Sequence, residues 1–458
     1  MDITEISKLM KNKEISPTEL VKEKLKTIDE KDRDINAFIT VAEEEAFETA
    51  EKLEEELEKG QVRGPLHGIP VAVKDLIFTK GIRTTSGSKI YKDFIPSYDA
   101  TVIQKLKDAG AIIIGKLNTH EFAYGPIGDR SYFGPCRNPH NLDKIAGGSS
   151  SGSAAAVAAN MVCASLGTDT GGSIRIPASA CGVVGMKPTF GLVSKAGVFD
   201  LAYTLDHIGP VTKSVRDNAL LLNIIAGYDP KDEHSIKQDD KKDYTNRLEE
   251  SIKGKTIGVA TNPYFTEVDA EVKEAINHAI NTFKNLQTNV KEVEVPRIEE
   301  IADAQVVTIK AEASAVHAEG LEGNYRGNID DEVYERLIDS QEVTGYEYVQ
   351  SQMKRTEFIS DLNQIFHDID VLIVPTLPVL PTDIGQREVA INDKTVSVRY
   401  ALLKLTSPFN YTGNPALTIP CGFSKSGLPI GVQLIGRHGD EEKLYQFGAQ
   451  LEKSLPHE

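Results

Sequence analysis

Cysteine is scarce in this chain of 458 residues: there are four, Cys136, Cys163, Cys181 and Cys421. No two stand in a C-x-x-C arrangement, and Cys163 and Cys181 lie among small apolar residues where a thiol behaves as a minor hydrophobe. That pattern indicates neither a disulfide framework nor a zinc site. Basic charge is short as well. Lysine and arginine number 51 against 68 aspartates and glutamates, a net charge of −17, which argues against direct nucleic-acid binding and against an anionic membrane surface. No apolar run approaches the ~20 residues of a membrane span. The opening M-D-I-T-E-I-S-K-L-M has no basic flank followed by an apolar run, so it does not read as a secretory signal. A reducing cytoplasm is the expected location. The ten histidines are scattered, and none falls in a cluster suited to a metal or to a catalytic base.

What the chain has is α/β texture. A hydrophobic content of 40% over this length supports a large core. Residues 1–60 read as a helical N-terminal arm. Ser16-Pro17-Thr18-Glu19 is a helix start, followed by Leu20, Val21, Leu25 and Ile28 at helical spacing, and 42–59 is rich in Glu, Ala, Lys and Leu. From 61 to 458 strand and helix signals alternate. Strands are expected at 69–73, 111–115, 255–260, 371–374, 416–420 and 430–435, with a hairpin loop at 424–428; helices are expected at 100–109, 269–285 and through 301–331. The polar run 229–244 reads as an exposed loop. The expectation is one large α/β domain carrying a helical arm.

The richest stretch is 144–175. It contains G-G-S-S-S-G-S and D-T-G-G-S-I-R, joined by a small-residue segment that reads as a buried helix. Glycine loses much backbone entropy on ordering, so such clusters mark tight turns or close backbone approach to a ligand. Ser173 follows Thr170-Gly171-Gly172, and the N–H groups of Gly171, Gly172 and Ser173 can converge on a carbonyl oxygen with no side chain in the way. A nucleophilic serine needs a base, and no histidine is placed for it. Lys74 ends the apolar strand 70–73, so its stem enters the protein, where desolvation lowers its pKa towards a usable amine. Asp75 could pair with it, but adjacent strand residues point to opposite faces. Ser149 can relay a proton between Lys74 and Ser173. Ser150 sits at the centre of a G-x-S-x-G match, yet that motif requires a strand before it, and the residues before it read as loop.

The order Lys74, then Gly147-Gly148-Ser149-Ser150, then G-T-D-T-G-G-S-I-R over 167–175 resembles, in residues and spacing, the amidase signature family of serine amide hydrolases. Further similarity runs through Y-D-A-T at 98–101, I-G-K at 114–116, G-V-V-G-M-K-P-T at 182–189, L-D-H-I-G-P at 205–210 and G-L-P-I-G-V-Q at 427–433. The resemblance covers most of the chain and is weakest over 228–350. It implies a single α/β/α domain around a mixed β-sheet, with no metal and no organic cofactor. It assigns Lys74 as base, Ser149 as a relay with a cis peptide, and Ser173 as nucleophile. Thr170, Gly171, Gly172 and Ser173 would supply the oxyanion hole, and Asp169 and Arg175 would brace it. Ser151 departs from the glycine usual there, a small change.

Two branches of the family compete. One hydrolyses amides directly; the other is the A subunit of glutamyl-tRNA(Gln) amidotransferase, which releases ammonia from glutamine for a partner subunit. In the second branch an arginine and an aspartate hold the two charged groups of glutamine. The resemblance places Arg355 at the arginine and Leu403 at the aspartate, so an ammonium group would lose its charge partner. Tyr124 and Gly125, in H-E-F-A-Y-G, look like the stand-alone amidases and are expected substrate contacts. The proline-rich segment 374–381 could wall a pocket of little polar character. The expected activity is therefore a free-standing amidase that takes a small-molecule amide and prefers apolar amides to glutamine, with homo-oligomerisation left open.

Overall fold

The computed structural model describes residues 2–237 and 242–455. Its frame is an eleven-stranded mixed sheet, whose strands we number in chain order: β1 Phe38–Val41, β2 Pro70–Lys74, β3 Ile112–Leu117, β4 Ala164–Asp169, β5 Val184–Lys187, β6 His207–Thr212, β7 Thr256–Ala260, β8 Asn289–Val293, β9 Val371–Pro375, β10 Ala416–Phe423 and β11 Pro429–Ile435. Across the sheet the order is β1-β3-β2-β4-β6-β5-β10-β11-β9-β7-β8. β2 runs parallel to β3 and β4, and β7 parallel to β8 and β9. The other neighbours are antiparallel.

Alternation along each strand sends side chains into two separate cores. Val71 and Val73 enter one, Ala72 the other; Ile113 enters the first, Ile112 and Ile114 the second. A strand buried on both faces has no polar side, which is why β2 and β3 are continuous apolar runs in the sequence. Helices cover both faces, giving the expected α/β/α arrangement around a mixed sheet.

The arm is less purely helical than its composition suggests. Ile3–Lys11, Pro17–Ile35 and Glu43–Glu58 are helices, and Ser16 with Glu19 forms a capping box at the second. Between the last two, Phe38–Val41 is an edge strand, antiparallel to β3. The span 301–331 is likewise broken, into Ile298–Val316, Ala318–Glu322 and the start of Asp331–Ser340. A further long helix, Gly345–Asp368, follows. Of the expected loop at 229–244, residues 238–241 lie outside the described residues; Asp229, Asp232 and Tyr244 are buried rather than exposed.

The segment between the two glycine-serine clusters is a helix, Ser151–Ala158, followed by β4, so a strand and not a helix leads into Ser173. The helix is buried along its whole face against the sheet. Gly152 permits that approach: a Cβ there would stand 2.3 Å from the Ala37 carbonyl oxygen and 2.5 Å from Asn118 N.

Candidate active site

Lys74 closes β2 with the same parity as Ala72, so it projects to the face covered by the Ser151–Ala158 helix. Its side chain is fully buried. Nζ donates to Ser149 Oγ and to Thr168 Oγ1, each at 2.7 Å. Burial pushes the Lys74 pKa down to about 7, against the opposing pull of the Asp206 and Asp169 carboxylates. Asp75 turns to the other face. It accepts the Thr85 N–H at 2.8 Å and feels the charge of Lys116, so the adjacent carboxylate does not neutralise Lys74.

Ser149 is buried one residue before the helix cap, and the Gly148–Ser149 peptide is cis. Its carbonyl accepts the His120 N–H at 3.1 Å, and the Gly148 N–H donates to Pro126 O at 2.7 Å. Ser150, by contrast, is occupied: its Oγ donates to Thr168 O at 3.0 Å and accepts the Thr168 N–H at 3.2 Å. The residues before it are not all loop. Asn141–Ile145 is a strand, but of a two-stranded hairpin outside the central sheet, which leaves no strand-to-helix elbow at Ser150.

Beyond β4 the chain turns through Thr170-Gly171-Gly172 to Ser173. Ser173 O accepts the Ser150 N–H at 3.2 Å, which holds the two serine-bearing segments side by side. Among the described residues, Ser173 Oγ and the N–H groups of Gly171 and Ser173 make no hydrogen bond. Gly172 N–H is already engaged, donating to Asp169 Oδ1 at 2.8 Å. Of the four residues expected to hold an oxyanion, Gly172 is therefore bound to a carboxylate in this conformation. Thr170 is pinned through its hydroxyl, 2.5 Å from Asp206 Oδ1.

Asp169 and Arg175 form a buried ion pair with two contacts, Nε–Oδ2 at 3.0 Å and Nη2–Oδ1 at 2.9 Å. Burial raises the Asp169 carboxyl, but Arg175 outweighs it and holds the group well below the usual carboxylate range. Arg175 Nη1 also donates to Thr406 O at 2.9 Å and to Gln433 Oε1 at 2.5 Å, and Nη2 to Asn410 Oδ1 at 2.6 Å. Nη1 and Nη2 thereby tie the turn to β11 and the segment 406–410, while Nε is held by Asp169.

The expected substrate contacts separate. Leu403 does reach the turn: its Cδ2 lies 3.1 Å from where a Cβ on Gly171 would stand, with Gln305 Nε2 at 3.5 Å from the same point. Gly125 also borders the centre, its carbonyl 3.3 Å from the Cβ position on Gly148. Tyr124 is buried, its hydroxyl 2.7 Å from Ser340 Oγ. Arg355 is committed elsewhere. Its Nε donates to Tyr411 O at 2.5 Å, its Nη2 to Thr204 O at 2.8 Å, and the Phe190 and Tyr411 rings flank it. The arginine beside Tyr124 and Gly125 is Arg336, which donates to Tyr124 O and lies 5.4 Å from that ring. Arg399, one helical turn before Leu403, is its charged neighbour. Sequence reading missed both, because a lone arginine on a polar helix reads as solvated. The available signal was the i, i+4 relation of Arg399 to Leu403. Leu377 of the proline-rich segment and Leu402 belong to one apolar cluster, and Leu403 packs against it.

Three comparisons bear on this arrangement. The amidase family model matches residues 19–445. The glutamyl-tRNA(Gln) amidotransferase A subunit of Halothermothrix orenii is 39% identical, the alignment covering 99% of this chain and 97% of the relative. Among solved structures, a chain from a vestigial protein complex that reveals the evolutionary origins of an s-triazine catabolic enzyme superposes with a TM-score of 0.95 at 34% identity, covering 99% of this chain and 98% of that one. A solved amidase superposes with a TM-score of 0.90, also at 34% identity, each chain covered in full at 100%. With a family match across nearly its whole length and relatives this close, the chain belongs to the amidase signature family, enzymes that hydrolyse the C–N bond of amides.

Proposed function

We propose that this protein hydrolyses a small carboxylic amide through an acyl-enzyme on Ser173, acting in the cytoplasm without a cofactor. The observation that carries the reading is the 2.7 Å contact of Lys74 Nζ with Ser149 Oγ, made by an amine whose pKa lies at about 7. Neutral Lys74 accepts the Ser149 proton as Ser149 accepts that of Ser173, and Ser173 Oγ attacks the amide carbon. The N–H groups of Gly171 and Ser173 meet the oxyanion. The proton returns by the same route to the leaving nitrogen, the C–N bond breaks, and water then hydrolyses the ester along the same relay.

The test is covalent. A fluorophosphonate should add once to the wild-type protein, at Ser173, and Ser173→Ala should both block the adduct in intact-mass spectra and abolish amide hydrolysis. An adduct on Ser150 would overturn the assignment.

A second reading is supported by the named relatives better than a stand-alone amidase is. The relatives named as the A subunit of glutamyl-tRNA(Gln) amidotransferase match almost end to end, which favours ammonia release from glutamine on behalf of a partner protein. Against it stands Leu403 at the turn, which leaves the ammonium of glutamine without an acid there. Ammonia release from glutamine, measured with and without an added partner of that type, decides between the two. Turnover of glutamine only with the partner would establish the second reading.

A further inference from the structure

Four arginines converge behind Tyr124: Arg130, Arg336, Arg387 and Arg399 all act electrostatically on His120 in this region. Three of them are matched by acids. Arg130 pairs with Glu332 at 3.0 Å, Arg387 with Asp129 at 2.8 Å and Glu332 at 3.0 Å, and Arg336 with Glu332 at 3.2 Å. Arg399 has no carboxylate within ion-pair distance among the described residues, and its Nε is buried without a hydrogen-bond partner. It also lowers the pKa of Arg336, whose own burial is the larger cause. Two like charges held together, one with a dry and unused donor, are stabilised by an anion between them.

The place of this surplus charge relates it to the reaction. Arg399 and Leu403 are i and i+4 on the helix Val398–Lys404, about 5–6 Å apart at Cβ, and Leu403 packs on Gly171. From the opposite side, Arg336 donates to Tyr124 O, and the following residues, Gly125 and Pro126, lie against the Gly148–Ser149 peptide. The helix that carries Arg399 thus reaches the turn before Ser173 through Leu403, and the segment that Arg336 holds reaches the Gly148–Ser149 peptide through Gly125 and Pro126. Leu403 and the aliphatic side of the same helix supply nothing that could hold an ammonium group.

We infer that Arg399, with Arg336 beside it, is the anion-recognising end of the acyl pocket. The substrate is then an amide whose acyl chain ends in a carboxylate and bears no ammonium group, so that hydrolysis yields a dicarboxylate and ammonia or an amine. This rests on the amide-hydrolase reading and names its substrate class.

Three primary amides of one chain length separate the charges. Glutaramate carries the carboxylate alone, glutamine carries carboxylate and ammonium, and pentanamide carries neither. Ammonia release should give glutaramate a kcat/KM at least tenfold above either of the others. Arg399→Gln should lower the glutaramate-to-pentanamide ratio tenfold or more, chiefly through KM, and Arg399→Lys should recover part of it. Calorimetric titration of glutaramate into Ser173→Ala, with and without Arg399→Gln, reads the pocket without turnover. Pentanamide equal to glutaramate, glutamine above glutaramate, or no glutaramate binding to Ser173→Ala would each overturn the inference. Failure of the amide-hydrolase reading shows separately, as absence of the fluorophosphonate adduct at Ser173.

Discussion

Lys74 is pulled two ways. Its dry surroundings favour the neutral amine, the Asp206 and Asp169 carboxylates favour the ammonium, and the surroundings prevail, leaving the pKa at about 7. In the proposed mechanism the working form is the neutral one, so kcat/KM should rise with pH through about 7 and level off above it. Lys74→Ala removes the proton acceptor and should cost roughly 10²-fold or more in rate, with circular dichroism unchanged. A rate that falls as pH rises over that window, or an active Lys74→Ala, would remove the lysine from the mechanism. The same group has a stability signature. Above a pH of about 7 the folded protein has released this proton, while the unfolded chain still binds it, up to its ordinary value near ~10.4. The Lys74 contribution to folding therefore becomes more favourable as pH rises across that interval.

At the scale of the element, the turn from Thr170 to Ser173 shows what the sequence could and could not reveal. Gly172 has φ +134, and a Cβ there would stand 2.2 Å from Thr406 Oγ1, the hydroxyl that holds Gly171 O at 2.6 Å. Gly172→Ala should therefore displace the turn, costing about 1–3 kcal/mol of stability and roughly 10²–10³-fold in kcat if an oxyanion donor moves with it. Thermal melting and steady-state rates measure the two effects; near-wild-type kcat would take this turn out of the oxyanion role. The need for glycine here was legible because backbone constraints are local. The arginines were not, since their meaning depends on which carboxylates come near, and residues 129, 130, 332, 336 and 387 meet only in the folded chain. The Ala- and Ser-rich run 151–169 was half legible: small residues pack equally in a helix or a buried strand, so periodicity could not show that helix gives way to β4. β1 was missed because four residues, Phe38–Val41, carry too little alternation to stand out between two long helices.

The whole molecule depends on that short strand more than the outward look of the arm suggests. Val21, Ile28, Ala46, Ala50 and Leu53 from the arm belong to the same core as Ala72, Ile112, Ile114 and the alanines of the Ser151–Ala158 helix. Ala37 O accepts the Asn118 N–H at 2.8 Å and lies against Gly152, three residues after Ser149. Asp32 accepts the Ala37 N–H at 2.7 Å and so fixes the start of β1. Removing residues 1–60 would uncover this core, expose the edge of β3 for pairing with another chain, and release the base of the helix that positions Ser149. We therefore expect a chain of residues 61–458 to aggregate or to lack amidase activity, and adding residues 1–60 as a separate peptide to restore some activity only if the two reassemble. Size-exclusion chromatography and the fluorophosphonate adduct on Ser173 are the measurements. A monodisperse 61–458 chain that labels and turns over like the full protein would mean that the arm is an appendage, and that the contacts of Ala37 and Asp32 do not support the helix beside Ser149.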